Sequence, residues 1–367
     1  MTQPLRFEQV EVTGFRNLQR ALFKPVARLN VIAGDNGQGK TSLIEALYLV
    51  STSKSFRTER SDEMICEGAS DALTAAVLRE GELTREQRAL LGRGQRAFRL
   101  NGKRPKNLAF YATQTPVVVF HPGDLTLVAG AAQGRRTLLD RVALFFEPIT
   151  ADHRSRYTRA LRARQRVLEE RGVRAAELEA LETIIAEHGA ALSAARVRTA
   201  ERLIEALHPA FEKMAAPGLA LRAELLEKGT ADRESFLAKL NAVRTDDLRR
   251  GRATFGPQRD DLELFVDGRS ARGHASQGQQ RVLTLALKLA ELACLRQARR
   301  AHPILLLDDV SSELDPARTG AVYRLLEGSQ SQVFVTTTRP ELFTTPDLAP
   351  EERADFTLHA GALSRLS

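Results

Sequence analysis

The first third of the chain alternates apolar and polar residues, a pattern typical of strands. Residues 7–18 predict one half-buried strand, and residues 21–33 predict one or two more. Residues 42–50 instead have the apolar spacing of a helix. Further strands are predicted, with a turn at Asn101-Gly102, at 72–78, 83–91, 97–100 and 116–120.

The middle of the chain changes to apolar spacings of three and four, which are typical of helices. Two apolar stripes lie between residues 151 and 214, and each is narrow, as at a seam between helices. Because Arg171-Gly172 breaks the pattern, we expect a hairpin of two long helices there. His188 lies on one stripe and is expected to be a packed core residue rather than a ligand. A further helix is predicted at 233–248.

Strands and helices alternate again from residue 253. The pattern predicts strands at 262–266, 304–308 and 332–337 and helices at 277–297 and 317–327. The simplest architecture is one α/β domain split in sequence, made of residues 1–146 and 253–367. A mainly helical lobe, residues 147–252, is then inserted between its two parts.

The composition favours a globular protein outside the membrane. Of 367 residues, 43% are hydrophobic and 27% charged, and the longest apolar runs are only as long as a strand. The first residues lack the apolar stretch of a secretory signal. With Cys66 and Cys294 as the only cysteines, neither a disulfide framework nor a cysteine-rich zinc site is expected. We therefore expect a cytoplasmic protein with no membrane contact.

The charge balance points to a polyanionic partner without proving one. The net charge is +8, but 45 arginines against 9 lysines could equally reflect genomic base composition. Residues 135–174 hold 11 arginines against 5 acidic residues, and such a run can bind DNA or be a solvated helix face. Aromatic residues are only 5%, with no tryptophan, which argues against stacking on single-stranded bases. Binding to duplex would therefore depend on the DNA backbone and not on sequence.

Residues 34–41, Gly-Asp-Asn-Gly-Gln-Gly-Lys-Thr, have the spacing of a phosphate-binding loop. Glycines at Gly34, Gly37 and Gly39 allow a tight turn that aims successive N–H groups at one anion. The predicted strand before the loop and helix after it are the context that this motif requires, whereas an ordinary glycine turn needs neither. We therefore predict that the loop binds a nucleoside triphosphate.

Two side chains at the end of this loop carry the expected chemistry. Lys40 is expected to reach the β- and γ-phosphates, and the Thr41 hydroxyl is expected to bind Mg²⁺. An acidic pair, Asp308-Asp309, ends the apolar run 304–307. Asp308 is expected to bind the metal beside Thr41, and Asp309 to orient or deprotonate an attacking water. The alternative is a core strand that simply ends in a polar turn.

Ser276 and Gln279 fit a capping box at the start of the predicted helix 277–297. Taken alone, this capping role is the better interpretation. The alternative is a second anion site, in which the free N–H groups of the helix and the Ser276 hydroxyl meet a γ-phosphate.

Taken together, these motifs resemble the ABC-type ATPase heads of the SMC and Rad50 group, and within that group the RecF family of DNA repair and recombination proteins. Matching segments run from residue 15 to about 338. They are Phe15-Arg16-Asn17, the phosphate loop, Ser55-Phe56-Arg57-Thr58, 118–125, 135–140, 256–261, the segment at Ser276 and 306–315.

The resemblance implies an α/β ABC-type ATPase head with a mixed sheet, which binds ATP and Mg²⁺. It implies a head-to-tail dimer driven by ATP, in which Ser276 of one copy completes the site of the other. Lys40, Asp308 and Asp309 would be the catalytic residues, and Thr41 and Asp308 the metal ligands. The implied nucleotide contacts are Gly34, Asn36, Gly37, Gly39, Lys40, Thr41, Ser42, Ser276, Gly278, Gln279 and Asp315.

The implied partner is DNA, as duplex and at single-strand/duplex junctions, bound without sequence preference. Arg57, Arg135 and Arg136 are the candidate DNA contacts. Members of this family act with RecR and RecO and help to load RecA on single-stranded DNA.

Three positions depart from the usual ABC pattern. Strand 117–120 runs into His121-Pro122, with Gln114 before it, so no residue is assigned the role of the usual glutamine. The histidine expected after the last strand is absent, since Thr336 and its neighbours offer only hydroxyls. Because Asp309 also stands where other heads have glutamate, we predict weak ATP turnover.

Other functions fit the sequence less well. The head of a structural chromosome-organising complex of the SMC and Rad50 type remains the main alternative, although it needs coiled-coil arms of hundreds of residues. A transport ATPase would usually carry the missing histidine, and a small-molecule kinase would have no use for Ser276.

Overall fold

The computed structural model describes residues 3–216, 218–309, 330–343 and 348–366. The strands are β1 (Gln3–Phe15), β2 (Leu18–Phe23), β3 (Leu29–Ala33), β4 (Asp71–Glu80), β5 (Leu83–Gly92), β6 (Gln95–Leu100), β7 (Val117–Phe120), β8 (Leu221–Leu226), β9 (Asp261–Val266), β10 (Arg269–Ser270), β11 (Ala301–His302), β12 (Ile304–Asp308), β13 (Val333–Thr337), β14 (Arg353–His359) and β15 (Ala362–Arg365). The helices are α1 (Lys40–Thr52), α2 (Leu108–Thr113), α3 (Thr126–Ala129), α4 (Ala132–Phe146), α5 (Thr150–Arg171), α6 (Glu177–Met214), α7 (Arg233–Ala242), α8 (Arg244–Arg250), α9 (Ala271–His274) and α10 (Gln277–Arg299).

The chain divides into two compact units. Unit 1 joins the residues up to Asp124 with those from Leu295 onward, and unit 2 is Leu125–Cys294. Unit 2 is larger than the predicted lobe 147–252. It also takes in α4, which packs against α6 and β9, and most of α10. Those elements lie outside the predicted helical region 151–214, so their sequence pattern gave no sign of which unit they join.

Unit 1 is built on one mixed sheet of twelve described strands. Its order is β6-β5-β4-β1-β2-β15-β14-β3-β13-β12-β7, with β11 paired to β1. The strands from β6 to β2 pair antiparallel, whereas β14, β3, β13, β12 and β7 run parallel. Strands β7, β12 and β13 are buried along their whole length, which explains why they are apolar runs without alternation.

Strand β3 lies between β13 and β14 and is parallel to both. Ala33 at the end of β3 is in register with Thr337, and Asp308 on β12 is in register with Thr336. Since parallel strands end at the same edge of a sheet, this register brings the phosphate loop after β3 beside Asp308. Helix α1 then covers the sheet, with Leu43, Ile44 and Leu47 fully buried in the core.

Unit 2 contains the predicted helical hairpin. Helices α5 and α6 pack against each other, and the chain turns at Gly172, whose φ of 81° suits glycine. His188 is buried, as expected, with its Nδ1 atom 2.9 Å from Nδ1 of His153. A small antiparallel sheet, β10-β9-β8, belongs to the same unit.

Two predicted elements differ from the structure, and one predicted element cannot be compared with it. The strand predicted at 7–18 ends at Phe15, and Arg16 (φ 54°) and Asn17 turn the chain into β2, because alternation alone does not reveal a hairpin turn. The helix predicted at 233–248 is two helices that meet at Val243. The helix predicted at 317–327 lies outside the described residues. In the described part of the chain, no helix is long and apolar enough to cross a membrane.

Candidate nucleotide site

The phosphate loop connects β3 to α1 in unit 1 with the backbone that its glycines allow. Gly37 and Gly39 have φ values of 81° and 111°, a region that side-chain-bearing residues rarely adopt. Gly39 is the N-cap of α1, so the N–H groups of the first helical turn face the loop. A Cβ at Gly34 would come within 2.5 Å of the Leu358 carbonyl oxygen, so that position has no space for a side chain.

Lys40 is held inside the loop. Its Nζ donates to the carbonyl oxygens of Gly34 at 2.6 Å and Asp35 at 2.9 Å, and the side chain is buried. Burial lowers the pKa of Lys40, and the carboxylates of Asp309, Asp308 and Asp35 oppose that shift. The ammonium group is therefore positioned where an anion at the loop could replace the two carbonyl oxygens.

Thr41, Asp308 and Thr336 form a hydrogen-bonded group at the edge of the sheet. The Thr41 and Thr336 hydroxyls donate to Oδ1 of Asp308 at 3.0 and 2.8 Å, and the Asp309 N–H donates to the Thr336 hydroxyl at 3.0 Å. Burial raises the pKa of Asp308, while these two hydroxyls act in the opposite direction. The predicted metal ligands Thr41 and Asp308 thus lie in direct contact.

Asn17, in the turn between β1 and β2, supports the phosphate loop from outside. Its Nδ2 donates to the Gly37 carbonyl at 2.9 Å, and its Oδ1 accepts from the Ser42 hydroxyl at 2.8 Å. One amide side chain therefore connects the loop to the first turn of α1.

A buried carboxylate organises a pair of arginines beside the loop. Glu45 is fully buried and accepts two hydrogen bonds from Arg16, at 3.0 and 2.8 Å. It also accepts from the Ser55 hydroxyl at 2.5 Å and from Arg57 at 3.2 Å. Arg57 was predicted to contact DNA; in the structure it lines the same cavity as the phosphate loop and Asp309.

The cavity at the loop has a volume of about 500 Å³, within the usual range for small-molecule sites. It is lined by loop residues, the two arginines and Asp309. The lining residues are Arg16, Asn17, Asn36, Gly37, Gly39, Lys40, Thr41, Ser42, Arg57, Glu63, Ile65 and Asp309.

In unit 2, Ser276 and Gln279 make both bonds of the predicted capping box. The Ser276 N–H donates to Oε1 of Gln279 at 2.8 Å, and the Gln279 N–H donates to the Ser276 hydroxyl at 3.2 Å. Ser276 is exposed, and Gly278 and Gln279 are partly exposed. The start of α10 is therefore accessible to an external group. Asp315, the last predicted nucleotide contact, lies outside the described residues.

Arg135 does not fit its predicted role as a DNA contact. It is 3% exposed, pairs through both Nε and Nη2 with Asp261 at 2.7 and 2.9 Å, and donates to the Leu127 carbonyl at 2.9 Å. Arg136 is partly buried and donates to the Asp260 carbonyl at 2.8 Å. Counting charges cannot distinguish such internal arginines from surface ones.

Gln114 and His121, the residues that flank strand β7, do not line the cavity. Gln114 donates its side-chain amide to the Phe110 carbonyl at 3.0 Å. His121 stacks on Phe56 with ring centroids 4.6 Å apart, and its Nδ1 accepts from the Gly123 N–H at 3.1 Å. Among the described residues, no group of three or more His, Cys, Asp or Glu side chains could hold a metal ion. A cation at Asp308 would thus need Thr41 and a bound ligand as well.

The sequence alone did not indicate the supporting roles of Asn17, Glu45 and Thr336. Their hydrogen-bond partners lie far along the chain or on another element. Asn17, Glu45 and Thr336 are themselves outside the phosphate-loop spacing. The resemblance to a family gave the only pointer to this region, through the segments Phe15-Arg16-Asn17 and Ser55-Phe56-Arg57-Thr58.

Comparison with known proteins settles the family. A family model described as "RecF/RecN/SMC N terminal domain" matches residues 6–349. A protein of Anaeromyxobacter sp. (strain Fw109-5) named DNA replication and repair protein RecF is 37% identical over 99% of this chain and 100% of its own length. The chain belongs to the RecF family. Another RecF, from Geobacter sulfurreducens, is 34% identical over 91% of this chain and 93% of its own.

Solved structures of RecF have the same fold. One described as RecF-ATP of the RecFOR pathway has a TM-score of 0.89 and 26% identity, and covers 100% of this chain and 99% of its own. A second, described as RecF-ATPrS, has a TM-score of 0.88 and 25% identity, with the same coverage of both chains. An Smc head domain from Pyrococcus furiosus, at 18% identity and a TM-score of 0.56, shares the fold alone. The predicted fold class, an α/β ABC-type ATPase head with a mixed sheet, is thereby confirmed.

Proposed function

We propose that this member of the RecF family is an ATP-dependent DNA-binding protein of recombinational repair and replication-gap processing. The observation that carries the proposal is the contact between Thr41 and Asp308 at the end of a phosphate loop. The names of the relatives, DNA replication and repair protein RecF, and the RecF-ATP description of a similar structure support it.

The phosphate loop binds the triphosphate of ATP in this proposal. Lys40 leaves its two carbonyl partners for the β- and γ-phosphates, and the N–H groups around Gly37 and Gly39 surround the same oxygens. The acidic, hydroxyl-bearing pair Asp308 and Thr41 suits a hard cation that prefers oxygen ligands. Mg²⁺ held there would neutralise charge on the phosphates.

Hydrolysis is slow in this proposal because no imidazole of the described residues assists Asp309, the candidate general base. Asp309 is the candidate that orients or deprotonates water, and it lines the cavity. At the end of the neighbouring strand, Thr336 stands where an imidazole is usual. Its hydroxyl is already bonded to Asp308 and to the Asp309 N–H. A rate as fast as that of transport ATPases would contradict this part.

Two copies share each ATP in the proposed dimer. Ser276, Gly278, Gln279 and the start of α10 from one copy contact the γ-phosphate held by the loop of the other, and Asp315 is assigned to the same nucleotide. The exposure of Ser276 supports the arrangement. ATP binding then closes the dimer on duplex DNA or at a single-strand/duplex junction, and hydrolysis releases it.

RecR, RecO and RecA complete the proposed setting, in which the protein helps to load RecA on single-stranded DNA in the cytoplasm. The phrase RecFOR pathway in the descriptions of similar structures supports the first two partners.

The test of the proposed function is sedimentation of the wild type and of Ser276→Arg with duplex DNA, with and without ATP. The wild type is expected to form ATP-dependent dimers on DNA. Ser276→Arg is expected to remain monomeric, because the long arginine side chain blocks the shared site. The matched control is Ser235→Arg, the same change at an exposed serine in the first turn of α7. ATP-dependent dimers in Ser276→Arg, or equal losses in both variants, would overturn the shared site.

A further inference from the structure

The turn between β14 and β15 contacts the phosphate loop. Strand β14 runs beside β3, with Thr357 in register with Ala33, and β15 returns antiparallel to β14. Because β3 and β14 are parallel, the turn after β14 lies at the sheet edge where the phosphate loop begins. This turn, Ala360-Gly361, is called the C-terminal turn below.

Both backbone N–H groups of the C-terminal turn bind one residue of the loop. Ala360 donates its N–H to the side-chain Oε1 of Gln38 at 2.5 Å, and Gly361 donates to the Gln38 carbonyl at 3.3 Å. Gln38 is the variable position between Gly37 and Gly39, and the phosphate-loop spacing assigns it no role.

The contact leaves no free space. Gly361 has a φ of 77°, and a Cβ at that position would overlap the carbonyl oxygen of Asn17. Asn17 in turn donates to the Gly37 carbonyl at 2.9 Å. The carbonyls of two successive loop residues, Gly37 and Gln38, are therefore held from outside by two different turns.

This arrangement fixes the direction of a loop amide. In a trans peptide the C=O and N–H groups point in opposite directions. When the Gln38 carbonyl is bonded to the C-terminal turn, the Gly39 N–H must point away from that turn. Gly39 lines the cavity, so an N–H that points away from the turn is available to an anion bound there.

We propose that the C-terminal turn is a positioning element of the nucleotide site, which holds Gln38 so that the phosphate loop keeps its anion-binding shape before ATP arrives. The inference rests on the proposed binding of ATP and assigns a role to Gln38, Ala360 and Gly361. A loop already in its bound shape loses less conformational entropy when it binds, and its affinity is higher for that reason.

The first test is the affinity for ATP with Mg²⁺, measured by calorimetry for Gly361→Ala and Gly268→Ala. Gly268 is the matched control, because it follows a strand in a hairpin turn, has a φ of 76°, and a Cβ added there would have no described atom within 4 Å. Both changes impose the same backbone strain. Only Gly361→Ala should weaken ATP binding, by about tenfold, the effect of losing one or two hydrogen bonds.

Gln38→Met provides a second, independent test if Gly361→Ala does not fold. It keeps the length of the side chain and removes the acceptor for Ala360, with an expected loss of about threefold in affinity. In a double variant with Gly361→Ala, it should lower the ATP affinity little further, because both changes act on one contact. Simple loss of fold stability would instead make the two effects add.

Hydrogen exchange of the C-terminal turn distinguishes a positioning role from a purely structural one, because only a positioning role makes the exchange rate depend on ATP. Since coupling between two sites is reciprocal, ATP should slow exchange of the Ala360 and Gly361 amides. Unchanged exchange, or equal affinity of Gly361→Ala and Gly268→Ala, would overturn the role of the turn. A wild type that binds no ATP at all would instead overturn the proposed function.

Discussion

Thr41 donates its hydroxyl to Oδ1 of Asp308 across 3.0 Å, although 267 positions separate the two residues in the chain. The same oxygen accepts from Thr336 at 2.8 Å, so two hydroxyl groups hold the carboxylate in place. A metal ion bound there would replace the Thr41 bond without having to order Asp308.

Asp308→Asn should abolish Mg²⁺-dependent ATP hydrolysis and stabilise the nucleotide-free protein. Hydrolysis should fall by about a hundredfold or more, because an uncharged amide cannot balance a divalent cation. Stability should rise because burial puts the pKa of Asp308 above its ordinary value of 3.8. With a raised pKa, the ionised carboxylate costs stability as the pH rises through the folded value, and asparagine removes that cost at neutral pH.

Thermal unfolding without nucleotide and a phosphate-release assay check the two parts separately. Asp246→Asn is the control, since Asp246 is exposed on α8 and should give neither effect. A melting temperature for Asp308→Asn below that of the wild type at pH 7 would contradict the stability part. Retained hydrolysis would contradict the metal role.

An arginine stripe on α5 is expected to carry part of the DNA affinity. Within the run 135–174, Arg135 and Arg164 are buried in ion pairs, whereas Arg159, Arg162 and Arg166 are exposed on one face of the helix. Changing these three to glutamine should weaken duplex binding and lower the salt slope by up to about 3, one unit for each lost phosphate contact.

The control for this stripe removes the same charge elsewhere in unit 2. Arg222, Arg233 and Arg269 are exposed on β8, α7 and β10, and their triple glutamine variant should keep the wild-type salt slope. Fluorescence anisotropy with labelled duplex at several salt concentrations measures both. Equal slopes for the two triple variants would show that only net charge matters.

The histidine pair between α5 and α6 should make unit 2 less stable in mild acid. With the Nδ1 atoms of His153 and His188 only 2.9 Å apart, one ring must be neutral and accept the proton of the other. Burial lowers the pKa of His188, Glu187 and Asp152 act against that shift, and the positive charge of Arg156 adds to it. A lowered histidine pKa gives stability that is present above pH 6.5 and is lost as the pH falls below it.

Urea unfolding at pH 5.5 and 7.5 tests this dependence. His188→Gln should reduce the difference between the two pH values, whereas His274→Gln, at an exposed histidine on α9, should leave it unchanged. If the wild type were as stable at pH 5.5 as at pH 7.5, the pair would have no such effect.

The local parts of the fold and site could be predicted from the sequence, and the distant contacts could not. The phosphate loop, the acidic end of β12 and the capping box at Ser276 each depend on residues a few positions apart, so spacing was enough. The support of the loop by Asn17 depends on a hairpin turn that alternation did not reveal. The pairing of Arg135 with Asp261 spans 126 positions, so a count of charges could not show that this arginine is buried.

Strand β3 obtains both of its neighbours from parts of the chain that are made much later. Asn30 of β3 donates to the Val333 carbonyl across 303 positions, and β14 pairs with the other side of β3 still later. During synthesis on the ribosome, the phosphate loop therefore emerges long before the two strands that flank β3. A nascent chain should acquire the hydrogen-bonded shape of this loop only after β14 has been made.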